Sequence, residues 1–141
     1  EAKRIREKFE KAIPALKNLK TAVAVKYRNQ KWIYGLDKRK LMCRAEYSSL
    51  NTLIQSCGSI LVKKGTVILN EDLQQAGFVW GKDYRMVLHV HDEMQFVVHK
   101  DKIEEFKTIA SKLFDKTKEY FNFKCELAGE IKVGSNWSET H

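Results

Sequence analysis

Three consecutive side chains, His91-Asp92-Glu93, carry the densest chemistry in the sequence. The apolar run Met86-Val87-Leu88-His89-Val90 leads straight into them, and Gln95-Phe96-Val97-Val98-His99 leads away. Two adjacent carboxylates are too costly to bury unpaired. The pattern therefore puts them at the tip of a hairpin, at a sheet edge facing a cleft, with His91-Asp92-Glu93-Met94 as the tight link. Carboxylate oxygens at such a tip suit a hard divalent cation. In phosphoryl transfer a cation of that kind activates the attacking oxygen, stabilises the leaving one and screens the charge between them. By residue type alone, Asp-Glu at a strand end reads more simply as a solvated turn. His89 and His91 stand two apart, the period of a strand, which opens another reading, a His-x-His-Asp metal site that lacks a third ligand group at useful spacing.

A second constellation lies upstream. Tyr47, Asn51 and Gln55 repeat every four residues, which aligns them on one face of a helix that is otherwise apolar. Amide side chains can donate to the acceptors that every base pair presents in the minor groove, so this stripe suits duplex contact without strong sequence preference. A solvated helix face is the plainer alternative. Arg44, just before the helix, is a candidate phosphate contact, or a surface residue at a helix start.

The elements that must hold these groups follow from periodicity. Ile5, Phe9, Ile13, Leu16, Leu19 and Val23 form an apolar helical face, and Pro14 predicts two helices with a joint at Ala12-Ile13-Pro14. Lys31–Tyr34 and Lys40–Cys43 read as short strands around a turn. From about Ala45 to Ala76 the spacing is helical again, with Gly58 and Gly65 marking a kink or a close approach. After the 86–99 hairpin, Asp101 and Glu104 resemble a capping box, and Ile103 to Tyr120 predicts one amphipathic helix. The hairpin is expected to pack on that helix through Val87, Leu88, Val90, Phe96 and Val98. A final strand is predicted over Lys124–Val133. The order implies an α+β fold with an antiparallel sheet.

At 141 residues the chain suits one domain with a real core. Its 43% hydrophobic and 31% charged residues exclude disordered and membrane-type compositions. Glu1-Ala2-Lys3-Arg4-Ile5-Arg6 is not the apolar stretch of a signal peptide, and Cys43, Cys57 and Cys125 form no CxxC pair. Reduced thiols in a cytoplasmic protein are the expectation. The net charge of +8 favours an acidic polymer as partner.

At these residues the sequence becomes recognisable. Leu88-His89-Val90-His91-Asp92-Glu93-Met94-Gln95 resembles motif C of family A DNA polymerases, whose core is Val-His-Asp-Glu. Leu50-Asn51-Thr52-Leu53-Ile54-Gln55-Ser56 resembles the helix preceding motif C in the phage replicative branch, and Trp32-Ile33-Tyr34-Gly35-Leu36-Asp37-Lys38-Arg39-Lys40 resembles its upstream hairpin. Val133-Gly134-Ser135-Asn136-Trp137-Ser138-Glu139-Thr140-His141 resembles the family's Asn-Trp tail with its terminal His. The four stretches stand in the family's order and cover essentially the whole chain.

The resemblance implies a carboxy-terminal segment of a template-directed DNA polymerase with a palm-type antiparallel sheet. Residues 1–85 would be fingers-derived helices, a short hairpin and a long helix, and residues 86–141 the palm hairpin, helix and strand. It implies that Asp92 and Glu93 are the catalytic, metal-holding carboxylates of a site using two Mg²⁺ ions. His91 would contact the primer terminus, and Asn51 and Gln55 the template or primer near the minor groove. Tyr47 stands where relatives commonly carry Arg or His and receives no role. The family's motif A aspartate and the helix that holds the incoming dNTP would lie upstream of these residues, so the isolated chain is expected to be inactive. Primer–template DNA is the expected partner, and the host-cell cytoplasm the expected place. Two other readings compete: a basic, sequence-nonspecific DNA-binding module without catalysis, and a metal-dependent hydrolase using His89, His91 and Asp92.

Overall fold

Pro14 decides where the first helix stops. The residue before a proline is pushed out of the helical region, and Ile13 accordingly takes φ −128° and ψ 77° between helices α1 (Ala2–Ala12) and α2 (Pro14–Gln30). Helix α2 ends on Lys31 in the left-handed conformation, whose N–H donates to the Tyr27 carbonyl at 2.7 Å. Strands β1 (Trp32–Tyr34) and β2 (Lys40–Met42) then pair antiparallel, with Ile33 opposite Leu41. A 3-10 turn over Glu46–Ser48 precedes the long helix α3 (Ser49–Gln75). Strands β3 (Tyr84–Val90) and β4 (Glu93–Val98) form a second antiparallel pair, followed by α4 (Ile103–Ala110) and α5 (Leu113–Phe121). The computed structural model describes residues 1–140, the side chains of Lys3 and Arg6 apart, so the terminal His141 of the tail lies outside the described residues. Among the described residues no helix is long and apolar enough to cross a membrane.

The mixed helix-and-sheet fold divides into two compact units, Glu1–Ile60 and the remainder from Leu61. The first has its core at Val23, Ile33 and Cys43, with Tyr27, Leu41 and Leu53 packed against it. Gly35 belongs to this packing: a Cβ there would lie 3.3 Å from the Ile60 and Leu41 methyls and from the Ser56 hydroxyl. Arg28 grips Glu46 with two N–H groups, Nε to Oε2 at 2.7 Å and Nη2 to Oε1 at 2.5 Å, and so ties α2 to the turn that starts α3.

The second unit buries Ile68, Leu69, Leu73, Phe78, Tyr84, Phe106, Ala110 and Leu113, with Met94, Phe96, Val98 and Ile109 against them. Leu73 and Tyr84 are almost fully enclosed, and each large side chain so buried contributes about 1.5–3 kcal/mol. The Tyr84 hydroxyl donates to Asn70 Oδ1 at 2.6 Å, and burial pushes the phenol pKa up. Phe96 meets Phe106 at 5.2 Å between ring centres, so the hairpin does pack on α4.

Four expectations are corrected. The helix predicted from Ile103 to Tyr120 is two helices, broken at Ser111-Lys112. Asp101 does not cap it; the His99 ring nitrogen instead accepts the Asp101 N–H at 3.4 Å, and the cap position falls to Lys102. Residues 124–133 form no strand, because a strand exists through its ladder and no described strand pairs with them. Val87, Leu88 and Val90 are exposed rather than buried, at 54%, 36% and 45%. Val87 follows the alternation set by Tyr84 and Met86; for Leu88 and Val90 the cause is a bulge, since Met86 pairs with Phe96 and Leu88 with Gln95, leaving Val87 as the extra residue that turns the alternation over. His89, opposite Met94, thereby takes the core-side position that Leu88 would otherwise hold.

Candidate active-site hairpin

The pairing of Val90 with Glu93 leaves only His91-Asp92 in the turn, two residues where four were expected, and makes Glu93 and Met94 part of β4. Two-residue hairpin turns need a positive φ, and here His91 supplies it at 53°. A side chain in that region costs about 1–2 kcal/mol, which the ladder on either side imposes. His91, Asp92 and Glu93 are all exposed, so the chemistry predicted for this stretch stands at the surface of the second unit.

Membership of β4 also gives Glu93 a neighbour that the sequence reading missed. Residues two apart on a strand share a face, and Gln95 Nε2 donates to Glu93 Oε1 at 2.6 Å. The signal was present in the spacing, but only once Glu93 is assigned to the strand. Met94 points the other way, and the Thr66 hydroxyl of α3 lies 3.0 Å from its sulfur, which seats the base of the tip on that helix. His91 stands in the turn rather than on β3, so strand alternation does not align it with His89. Among the described residues no group of three His, Cys, Asp or Glu side chains converges as a metal cage. Asp92 and Glu93 offer a different donor set, two adjoining carboxylates that face solvent.

Asn51 and Gln55 lie one turn apart on the first part of α3 and are exposed, as is Arg44 ahead of it. Tyr47, 91% exposed, belongs to the 3-10 turn and not to the helix, so the regular stripe begins at Asn51. Gly58 continues the open face, with nothing within 4 Å of where its Cβ would be. Glu46 anchors the start of this segment. Its hydrogen bond from Arg28 holds its carboxyl below the usual carboxylate range, and the same contact raises the guanidinium.

The tail forms a small closed motif of its own. Glu139 accepts the Ser135 N–H at 2.7 Å and the Asn136 amide at 2.8 Å, and the backbone bond chiefly lowers its pKa. Gly134 is required there, since a Cβ would fall 2.5 Å from that of Glu139.

Residues 1–139 match the family model described as DNA polymerase family A. The chain is similar to the DNA-directed DNA polymerase of Enterobacteria phage T3, 34% identical over 115 residues that make up 79% of this chain and 16% of that protein. The polymerase of Escherichia phage T7 is 33% identical over 115 residues, with the same two coverages. DNA polymerase I of Pseudomonas aeruginosa is 30% identical over 97 residues, 69% of this chain and 10% of that protein. The chain thus spans well under a quarter of the length of these relatives. In fold it is similar to the POL domain of Pol1 from M. smegmatis, solved in complex with DNA primer-template and dNTP, at a TM-score of 0.66 and 16% identity over 83% of this chain and 23% of that one.

Proposed function

The chain belongs to DNA polymerase family A, and on that premise we propose that it supplies the motif C part of a template-directed DNA polymerase, in which a primer 3′-hydroxyl attacks the α-phosphate of a dNTP. The observation that carries the reading is the hairpin tip, where a two-residue turn presents His91, Asp92 and Glu93 together at the surface. Asp92 and Glu93 fit Mg²⁺, an ion that is commonly held by one or two carboxylates while water and substrate phosphates complete its shell. Such an ion, when bound, supplies charge stabilisation to the attacking and leaving oxygens. Asp92 would be the principal carboxylate holding that ion. Glu93, steadied by Gln95, sets the position beside it. His91 contacts the primer terminus, Asn51 and Gln55 donate to minor-groove acceptors, and Arg44 meets a phosphate. The 141 residues alone do not position a nucleotide and are inactive without the rest of the enzyme.

The test is single-turnover nucleotide addition by a polymerase carrying this segment, at saturating primer–template and Mg²⁺. Asp92→Ala removes stabilisation that develops only in the transition state, so it is expected to lower the rate by at least about a hundredfold, which is roughly 2.7 kcal/mol. Glu93→Ala is expected to cost clearly less, with DNA affinity nearly unchanged in both. Near-normal addition by Asp92→Ala would show that Asp92 is not the catalytic carboxylate of this segment.

A further inference from the structure

Positive charge is dense in one stretch of this chain. Between Lys26 and Arg44 stand seven lysines and arginines against a single acid, Asp37, a net +6. Asp37 is already engaged by Arg39, and Arg28 by Glu46, so the remaining lysines set the local field. Two of them, Lys26 and Lys40, stand over a pair of rings. Trp32 and Tyr34 meet edge to face, 4.8 Å between centres and 80° between planes. The Lys26 ammonium lies 5.8 Å from the Trp32 centre and 5.6 Å from that of Tyr34, and Lys40 lies 4.7 Å from Trp32. An ammonium over a ring face is attracted to it, so these contacts order long side chains that would otherwise sweep through solvent. Tyr34 is 50% exposed, and Lys26, Lys38 and Lys40 are exposed.

Ordered cations beside a half-open ring answer to one class of ligand in particular. A duplex hides its base faces and presents phosphates and groove edges, for which charge alone would serve. A single strand presents phosphates together with unstacked bases, each of which has a face for an aromatic ring. An acidic peptide would use the cations and leave Tyr34 without a purpose. We infer that the β1–β2 hairpin is a second nucleic-acid contact, specific for single-stranded DNA, with Tyr34 as the stacking ring and Lys26, Lys38 and Lys40 as phosphate contacts. It lies in the first unit, whereas the carboxylate tip belongs to the second, and it requires no metal.

The experiment is fluorescence anisotropy on the full chain with a short labelled oligothymidylate and, separately, a blunt duplex. Tyr34→Ala is expected to weaken oligothymidylate binding by about fivefold or more and to leave duplex binding nearly unchanged, while Tyr34→Trp restores it. Lys38→Glu with Lys40→Glu is expected to weaken both ligands and to flatten the salt dependence, since fewer counterions are released. Circular dichroism checks that each variant keeps the wild-type helix content. The inference is overturned if both variants bind the oligonucleotide like wild type, if Tyr34→Ala weakens duplex and single strand equally, or if polyglutamate competes as well as an oligonucleotide of equal charge. None of these outcomes touches the Asp92 test, so the two readings fail separately.

Discussion

Gly58 and Gly65 sit in the same helix and invite the same substitution, yet the structure gives them opposite outcomes. An alanine in a helix interior is favoured over glycine by about 1 kcal/mol, because glycine loses more backbone freedom on folding. At Gly58 nothing lies within 4 Å of the added methyl, so Gly58→Ala keeps that gain. At Gly65 the methyl would stand 3.2 Å from Leu113 Cδ1 and 3.2 Å from Thr117 Oγ1. Neither neighbour can yield easily: Leu113 is 5% exposed, and Thr117, 3% exposed, has its hydroxyl committed to the Leu113 carbonyl at 2.8 Å. Overpacking of this kind costs about 1–3 kcal/mol, so Gly65→Ala is expected to be neutral at best and destabilising by up to about 2 kcal/mol. The pair should differ by roughly 1–3 kcal/mol, read from urea unfolding followed by far-ultraviolet circular dichroism and by tryptophan fluorescence. Equal stabilisation by both substitutions would refute the reasoning, since it would mean that α5 retreats from α3 without cost.

Glu46 sets a pH dependence. Its folded pKa is depressed by Arg28, so the stability it contributes is present above the ordinary carboxylate range and is lost as pH falls through the folded value. The difference in midpoint between wild type and Glu46→Gln should therefore shrink as the pH is taken below about 4, and a constant difference would count against the ion pair. Gly129 faces the Phe114 ring so closely that a Cβ would fall 2.2 Å from its Cζ. Gly129→Ala should destabilise by about 1–3 kcal/mol in thermal melts, and Phe114→Leu should recover much of the loss.

Local signals carried the elements that depend on local physics. Pro14 placed the α1–α2 joint, the end of the helical period at Lys31 placed the first hairpin, and the apolar runs on either side of His91-Asp92-Glu93 placed the second. What depends on distant partners was not legible. Met86-Val87-Leu88 is apolar at every position, so no alternation marks Val87 as the bulged residue. The helical period runs unbroken through Ser111-Lys112, and the break there appears only in the fold. Residues 124–133 alternate like a strand but find no ladder. At the site, spacing alone put Asn51 and Gln55 on one face, whereas the contact of Gln95 with Glu93 required knowing that the turn holds two residues and not four.

At His91 the demands of fold and function part. The pairing of Val90 with Glu93 forces a residue of positive φ into the first turn position, and glycine or asparagine meets that need most cheaply. Histidine pays about 1–2 kcal/mol for the same conformation, and its exposed ring gains no core packing in return. The fold therefore gives no reason for an imidazole here. Its position beside two exposed carboxylates gives one: a ring nitrogen that can donate to whatever reaches the tip. His91→Gly separates the two demands. It should leave the hairpin as stable as before, or more stable by up to about 1 kcal/mol, because the strain is relieved. In a polymerase carrying the segment it should nonetheless slow nucleotide addition, and most at low primer–template concentration if the ring holds the primer end. Stability and single-turnover rate measured on the same preparation decide the matter. A variant that gains stability and keeps its full rate would remove His91 from the site and leave its strain unexplained.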